Sequence, residues 1–502
     1  VYMNPERKCT AKRLLSLFMA AGIVLTMTPG ITVSADTVVS GAAVSASEPT
    51  GGADEPADPE EGTEETAEPS DPEEGEEETA EPADPSGTEE ASEYTENDDN
   101  GIALYSTPVD INDTLYVYGG QLDTDFSFDI SGMTLTILND KTLTITNKRS
   151  GAQSNINIVI ADGVDATLIL DNLTINRTDG PAISMGESTA DVTVILADGS
   201  LNHLYGNYAA GIEKLSQDGT LTITCASAVD DPTHVCDTGC GFLEVACSSG
   251  RGAGIGASGS SWETTGGIYI KGGLIQAKGT DGAGIGGSNL ASVSDITISG
   301  GRIEAHGDRG AAGIGSATNG NVGTINISGG VISAYGSAFA LSSGERFYGA
   351  AIGAAYCSSF NEINITGGTI YADAAECYTS GTGAVGIGAG NMSNTDDEIR
   401  KINISDATVC AVGSGESFGI GHSADVGKSC DIVIMDSTVN SQNGDYCTAD
   451  GATSSVPKDA DGNELAMLCI SNANGEDNIT INGEPYQFTS TTYYKHLGGN
   501  AT

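Results

Sequence analysis

The residues best equipped for chemistry in this 502-residue chain are crowded between Cys225 and Cys247. The run Cys225-Ala-Ser-Ala-Val-Asp-Asp-Pro-Thr-His-Val-Cys-Asp-Thr-Gly-Cys-Gly carries three thiols and His234, and Cys247 follows it. Thiolates with an imidazole are a ligand set for tetrahedral zinc, so Cys225, His234, Cys236 and Cys240 are one candidate site. The Cys236-x3-Cys240 spacing suits a metal, but no second close cysteine pair follows. The competing expectation is two disulfides among Cys225, Cys236, Cys240 and Cys247, stapling a loop too small to form its own core. Export of the chain, argued below, favours the disulfides. No cofactor is expected.

Catalytic arrangements are weaker. Glycoside hydrolysis needs two carboxylates flanking the bond at a set separation. Asp281, Asp308, Asp373 and Asp425 are instead scattered over turns. Glu304 and His306, with Arg302 and Arg309 nearby, make the best cluster, although mixed charge on a solvated face is its ordinary explanation. Ser417 sits in a Gly-x-Ser-x-Gly match, but in a glycine-rich turn rather than between a strand and a helix. A non-catalytic protein is expected, with a polysaccharide lyase or glycoside hydrolase as the alternative.

A repeat must position these groups. Ile255, Ile285, Ile314, Ile352, Ile387 and Ile420 each lie in a Gly-Ile-Gly or Ala-Ile-Gly element, at separations of 30, 29, 38, 35 and 33 residues. Between them falls an alternating pair: Ile268/Ile270, Ile296/Ile298, Ile325/Ile327, Ile363/Ile365, Ile402/Ile404 and Ile432/Ile434. Five residues later comes Ile275, Ile303, Ile332, Ile370, Val409 or Val439, after a Gly-Gly pair in the first four units. The order runs weakly backward through Leu168/Leu170, Ile175 and Ile183, then Val194/Leu196, Leu201 and Ile212. Constant order with variable gaps means constant strands and variable turns.

Three short strands per unit predict an all-β fold, a right-handed parallel β-helix with three faces and about ten coils. Alternation turns every second side chain inward. Glycines flanking the central isoleucine suit a close corner at positive φ. The insertion at 225–242 replaces a tight turn and should protrude. One outward column reads Lys278, His306, Tyr335 and Asp373, beside Gln276, Glu304, Ser333, Tyr371 and Cys410. If this face binds glycan, Tyr335 and Tyr371 are the stacking residues, with Glu304, His306 and Asp373 as polar partners. Phe339, Phe347, Tyr348, Tyr356, Phe360 and Tyr378 form a local aromatic excess that either binds or packs. A third column, Tyr269, Thr297, Asn326, Asn364, Asn403 and Val433, reads as a structural amide ladder.

The Gly-Ala-Gly-Ile-Gly elements at 252–256 and 282–286, with Ile-x-Ile-x-Gly-Gly between them, resemble secreted surface proteins of anaerobic Gram-positive bacteria. Those are right-handed β-helices, often described as carrying carbohydrate-binding domains. The resemblance covers roughly residues 110–440. It implies a secreted or cell-surface protein that binds a polysaccharide or host glycan. The alternative is an adhesin contacting a host protein through the cysteine-rich loop.

Flanking segments agree with export. Arg7, Lys8, Lys12 and Arg13 precede an apolar run from Leu14 to Met27 and the small residues Val33-Ser34-Ala35, the order of a signal peptide over 1–35. Residues 36–100 read as a disordered acidic linker: 23 Asp or Glu and no Lys or Arg fall between Glu48 and Asp99. A 13-residue unit repeats at Glu60–Pro72 and Glu73–Pro85. The formal charge of −49 argues against nucleic acid as a partner. The β-helix is expected over 101–440, and 441–502 as its cap or the start of a further domain. Cys357/Cys377, Cys410/Cys430 and Cys447/Cys469 are expected as local disulfides.

Overall fold

The computed structural model describes residues 107–259, 264–342, 346–374, 383–390, 400–414, 417–422 and 430–443, together with short strands at Ala466–Leu468, Ile479–Ile481, Glu484–Pro485 and Lys495–Leu497. The expected signal peptide and acidic linker lie outside the described residues. The described part is all-β. Three long sheets of 15, 11 and 9 strands hold most of it, and nearly all their neighbouring strands run parallel. Its one helix is the single turn Ala226–Asp230, so among the described residues no helix is long and apolar enough to cross a membrane.

The three sheets correspond to the three parts of the repeat. Strands such as Ile268–Ile270, Ser292–Ile298 and Val322–Ile327 build an Ile-x-Ile sheet. Leu274–Lys278, Arg302–His306 and Val331–Tyr335 build an Ile-x-Ala sheet. Ile255–Gly256, Ile285–Gly286 and Ile314–Gly315 build a Gly-Ile-Gly sheet. The chain visits them in that order and begins again. Pairing is in register: Ile268 opposes Ile296, Ile275 opposes Ile303 and Ile285 opposes Ile314. Inward side chains of all three sheets join one apolar core, and Ile270, Ile285 and Ile325 are fully buried. Burial of each such side chain contributes about 1.5–3 kcal/mol.

Glycine sits where the backbone demands it. The second glycine of each Gly-Ile-Gly element has a φ near +130°, from 120° at Gly421 to 137° at Gly315. A Cβ on Gly315 would collide with the carbonyl of Gly353 one strand away. The second member of each Gly-Gly pair is also left-handed, as at Gly301 (φ 92°) and Gly330 (φ 90°). In the last two units the left-handed residue lies one position earlier, at Asp406 (φ 51°) and Asp436 (φ 45°).

The amide ladder forms as expected. Asn364 donates to Asn326 Oδ1 at 3.0 Å, and Asn403 donates to Asn364 Oδ1 at 2.7 Å. Two strand assignments change. Leu201 was expected to point inward, but it is exposed and Asn202 takes the inward column opposite Leu243. Asn202 is tolerated there because its amide donates to Ser200 Oγ and the Phe242 carbonyl and accepts from Leu173 N–H. The Ile-x-Ile sheet also continues past residue 440: Ile479–Ile481 pairs parallel with Cys430–Met435, opposing Ile432 and Ile434. At the other end, antiparallel pairing of Leu115–Tyr118 with Thr142–Asn147, and of Phe126–Asp129 with Thr134–Ile137, covers the first parallel strands.

Candidate functional site

The outer face of the Ile-x-Ala sheet gathers all five glycan-site candidates. In-register pairing sets Lys278, His306, Tyr335 and Asp373 in one column, and Gln276, Glu304, Ser333, Tyr371 and Cys410 in the next. Glu304 Oε1 lies 2.7 Å from His306 Nε2, and Gln276 donates to its other oxygen at 3.3 Å. Tyr371 O–H donates to Asp373 Oδ2 at 2.6 Å. The His306 and Tyr335 rings stack at 4.4 Å and 8°, and Tyr371 meets Tyr335 edge-on at 6.0 Å.

This geometry corrects the expected role of the tyrosines. Tyr371 is only 6% exposed, packed with Cys410 and Val412, so its ring is no open platform. One face of the Tyr335 ring is covered by His306, and Tyr371 meets the ring at 68°. The aromatic excess at 339–360 is packing. Phe339 stacks on Phe347 within the hairpin Ala338–Ala340/Arg346–Tyr348, Phe347 meets Tyr356 edge-on at 4.3 Å, and Tyr348, Tyr356 and Phe360 are buried. Tyr378 lies outside the described residues.

Both columns extend backward to residues the sequence reading did not single out. His203, Glu244 and Gln276 are register partners, as are Tyr205, Ala246 and Lys278. His203 Nδ1 lies 3.0 Å from Glu244 Oε2. Burial, with Glu244 nearby, pushes the Tyr205 hydroxyl up to about 12. The strand order Leu201–Gly206, Phe242–Cys247 would have revealed them once Asn202 was admitted as an inward residue.

A groove of about 900 Å³ runs over this face. Its floor includes Gln276, Glu304, Tyr335 and Tyr371, and one wall is Cys236, Asp237 and Thr238 of the insertion. A second groove of about 720 Å³ is polar and flanked by Arg251, Asp281 and Arg309. Asp281 Oδ2 lies 3.7 Å from Arg251 and 3.5 Å from Arg309. Burial raises the Asp281 carboxyl above its ordinary value, against the pull of the two guanidiniums.

The insertion places its donors through short turns. Asp231 Oδ1 accepts from Thr233 N–H at 2.9 Å and turns the chain into His234. Asp237 Oδ1 accepts from Gly239 N–H at 2.8 Å and turns it into Cys240. Ser227 bonds Asp198, and Gly199 N–H donates to the Gly239 carbonyl at 2.8 Å, tying the insertion to the preceding strand connection. The Cys225, Cys236 and Cys240 sulfurs and a His234 ring nitrogen all lie within 4.8 Å of one another.

The disulfide expectation for Cys225, Cys236, Cys240 and Cys247 is corrected: all four are free thiols. Cys225 and Cys236 sulfurs are 3.6 Å apart, beyond the roughly 2.05 Å of a disulfide. Cys247 is outside the cluster and donates to the Ser249 carbonyl. The shared hydrogen bond, with burial, raises the Cys225 thiol, while the same bond lowers Cys236. Cys357 and Cys410 are disulfide-bonded, with partners outside the described side chains; Cys377, Cys447 and Cys469 lie outside the described residues.

The catalytic alternative gains no geometry from Ser417. Its hydroxyl is buried and donates to the Gly383 carbonyl at 2.7 Å, bridging two turns. Comparison of the chain with protein-family models, curated proteins and solved structures gives no match.

Proposed function

We propose that the protein is an exported, non-catalytic carbohydrate-binding protein that holds a polysaccharide along the outer face of its Ile-x-Ala sheet. The observation that carries this is the strip Glu304–His306–Tyr335–Tyr371–Asp373, in which two carboxylates flank the aromatic rings and Glu304, Tyr335 and Tyr371 line an open groove. Carboxylates whose oxygens each already meet one protein partner, as in Glu304, still have lone pairs for sugar hydroxyls. Strands repeat at about 4.8 Å, close to the rise of one sugar ring, so a linear glycan can meet equivalent groups on successive strands. The mode is hydroxyl matching by Glu304, Asp373 and Gln276, with the aromatic rings as the apolar floor.

The same proposal includes a right-handed, three-faced β-helix of about ten coils. The cyclic order of the three sheets and their shared core support three faces, and right-handed crossovers are the general rule for parallel strands. Export is supported by the basic, apolar, small-residue order of residues 7–35.

A glycan array probed with the full chain tests the function. Binding to a defined set of polysaccharides, lost in a Glu304→Ala/Asp373→Ala variant, is expected. Absence of glycan binding, or reducing-end release from a bound glycan, overturns it.

A further inference from the structure

We propose that Cys225, His234, Cys236 and Cys240 form a Cys3His site for one Zn²⁺ ion, which locks residues 226–241 in place as the wall of the groove. The donor atoms have the right separations. A tetrahedron with Zn–S arms of about 2.3 Å has S···S edges of about 3.8 Å. The Cys225–Cys236 pair is at 3.6 Å, His234 Nε2 lies 3.1 Å from Cys240 Sγ, and no donor pair exceeds 4.8 Å.

The surroundings suit a buried, closed centre. Cys225 is fully buried, Cys240 is 3% exposed and Cys236 is 9% exposed. Gly273 N–H donates to Cys236 Sγ at 3.1 Å, the kind of backbone contact that stabilises a metal-bound thiolate. Gly272 makes room: a Cβ there would lie 2.9 Å from Ala228 Cβ and 3.1 Å from Cys225 Sγ. Four protein ligands leave no open position, so the ion is structural rather than catalytic. Soft thiolates with one imidazole select zinc over magnesium or calcium.

The disulfide alternative fits the residues less well. Pairing any two of the three clustered thiols leaves the third buried beside His234, and Cys247 is not there to take it. Loading balances as Zn²⁺ plus three thiols and a neutral imidazole giving the tetra-coordinate centre and three protons released to solvent. The insertion has almost no apolar core of its own, so the ion supplies the cross-link that a loop of this size needs.

Elemental analysis of the full chain purified without chelator tests the site. One zinc per chain is expected, with Cys225, Cys236 and Cys240 unreactive to a thiol reagent until a strong chelator is added. Cobalt(II) added to the chelated protein should give the intense visible bands of tetrahedral thiolate coordination. His234→Ala, a half-exposed position whose loss leaves the core intact, should weaken those bands and lower zinc retention at least tenfold. Chelation should also open residues 226–241 to limited proteolysis while the sheets stay protected. Metal-free protein, whether with reduced thiols or with a disulfide among Cys225, Cys236 and Cys240 by mass spectrometry, overturns the proposal. So does an insertion that resists protease equally with and without chelator.

Discussion

The imidazole of His306 lies flat on the phenol of Tyr335, with ring centroids 4.4 Å apart and planes 8° from parallel. The two residues are register partners on adjacent parallel strands, so the stack follows from the strand spacing of about 4.8 Å. A double-mutant cycle with His306→Ala and Tyr335→Ala should give a coupling of about 0.5–1.5 kcal/mol in urea unfolding. Additive single effects would show that the rings merely sit side by side.

The asparagine ladder gives an internally controlled prediction. Asn364 bonds on both sides, to Asn326 and Asn403, whereas Asn326 has one such bond in the ladder. Asn364→Ala should therefore destabilise by about 1–3 kcal/mol, and Asn326→Ala by roughly half as much. Chemical denaturation of the two variants measures the difference. Asn403 keeps Glu362 as a second acceptor, so its partner loss is partly relieved in Asn364→Ala.

Gly315 combines a φ of 137° with a neighbouring carbonyl in the path of any side chain. Gly315→Ala should destabilise by about 2–5 kcal/mol, from backbone strain and overpacking together. Gly163 has a φ of 73° and nothing within 4 Å of a built Cβ, so Gly163→Asn should change stability by less than about 1 kcal/mol. Equal thermal shifts for the two variants would contradict the role assigned to the Gly-Ile-Gly corner.

Burial pushes the Tyr356 hydroxyl up to about 12 from an ordinary value of 10.0. A raised folded-state value means the folded protein holds this proton longer than the unfolded chain. Its contribution is present below pH 10 and is lost as the pH rises through about 12. Tyr356→Phe should flatten the alkaline fall in stability between those two values. A phenolate titration in which every tyrosine ionises near 10 would contradict the burial.

Much of this architecture was legible in the sequence because one side-chain rule repeats. The isoleucines of the three elements predicted which residues pair, and Ile268/Ile296, Ile275/Ile303 and Ile285/Ile314 do so. The outward columns followed, since register fixes both faces of a strand at once. Features that break the rule were harder to see. Asn202 is polar at an inward position and Lys214 is fully buried, its ammonium donating to the Ser216 and Asp218 carbonyls. Neither carries an apolar signal. The orientation of Tyr335 and Tyr371 depends on ring rotation, which strand alternation leaves open. The thiol cluster was visible as composition, but its state depends on sulfur separations that only folding of the insertion defines.

The most direct test of the central claim is calorimetric titration of the full chain with the polysaccharide bound most strongly on the array. The groove-face assignment predicts that Glu304→Ala/Asp373→Ala weakens binding by about 10–100-fold, since each carboxylate lost removes hydrogen bonds to a charged acceptor. It also predicts unchanged affinity for Asp162→Ala, an exposed turn residue away from that face. Equal affinity in the wild type and the Glu304/Asp373 variant would contradict the assignment of this face as the glycan site.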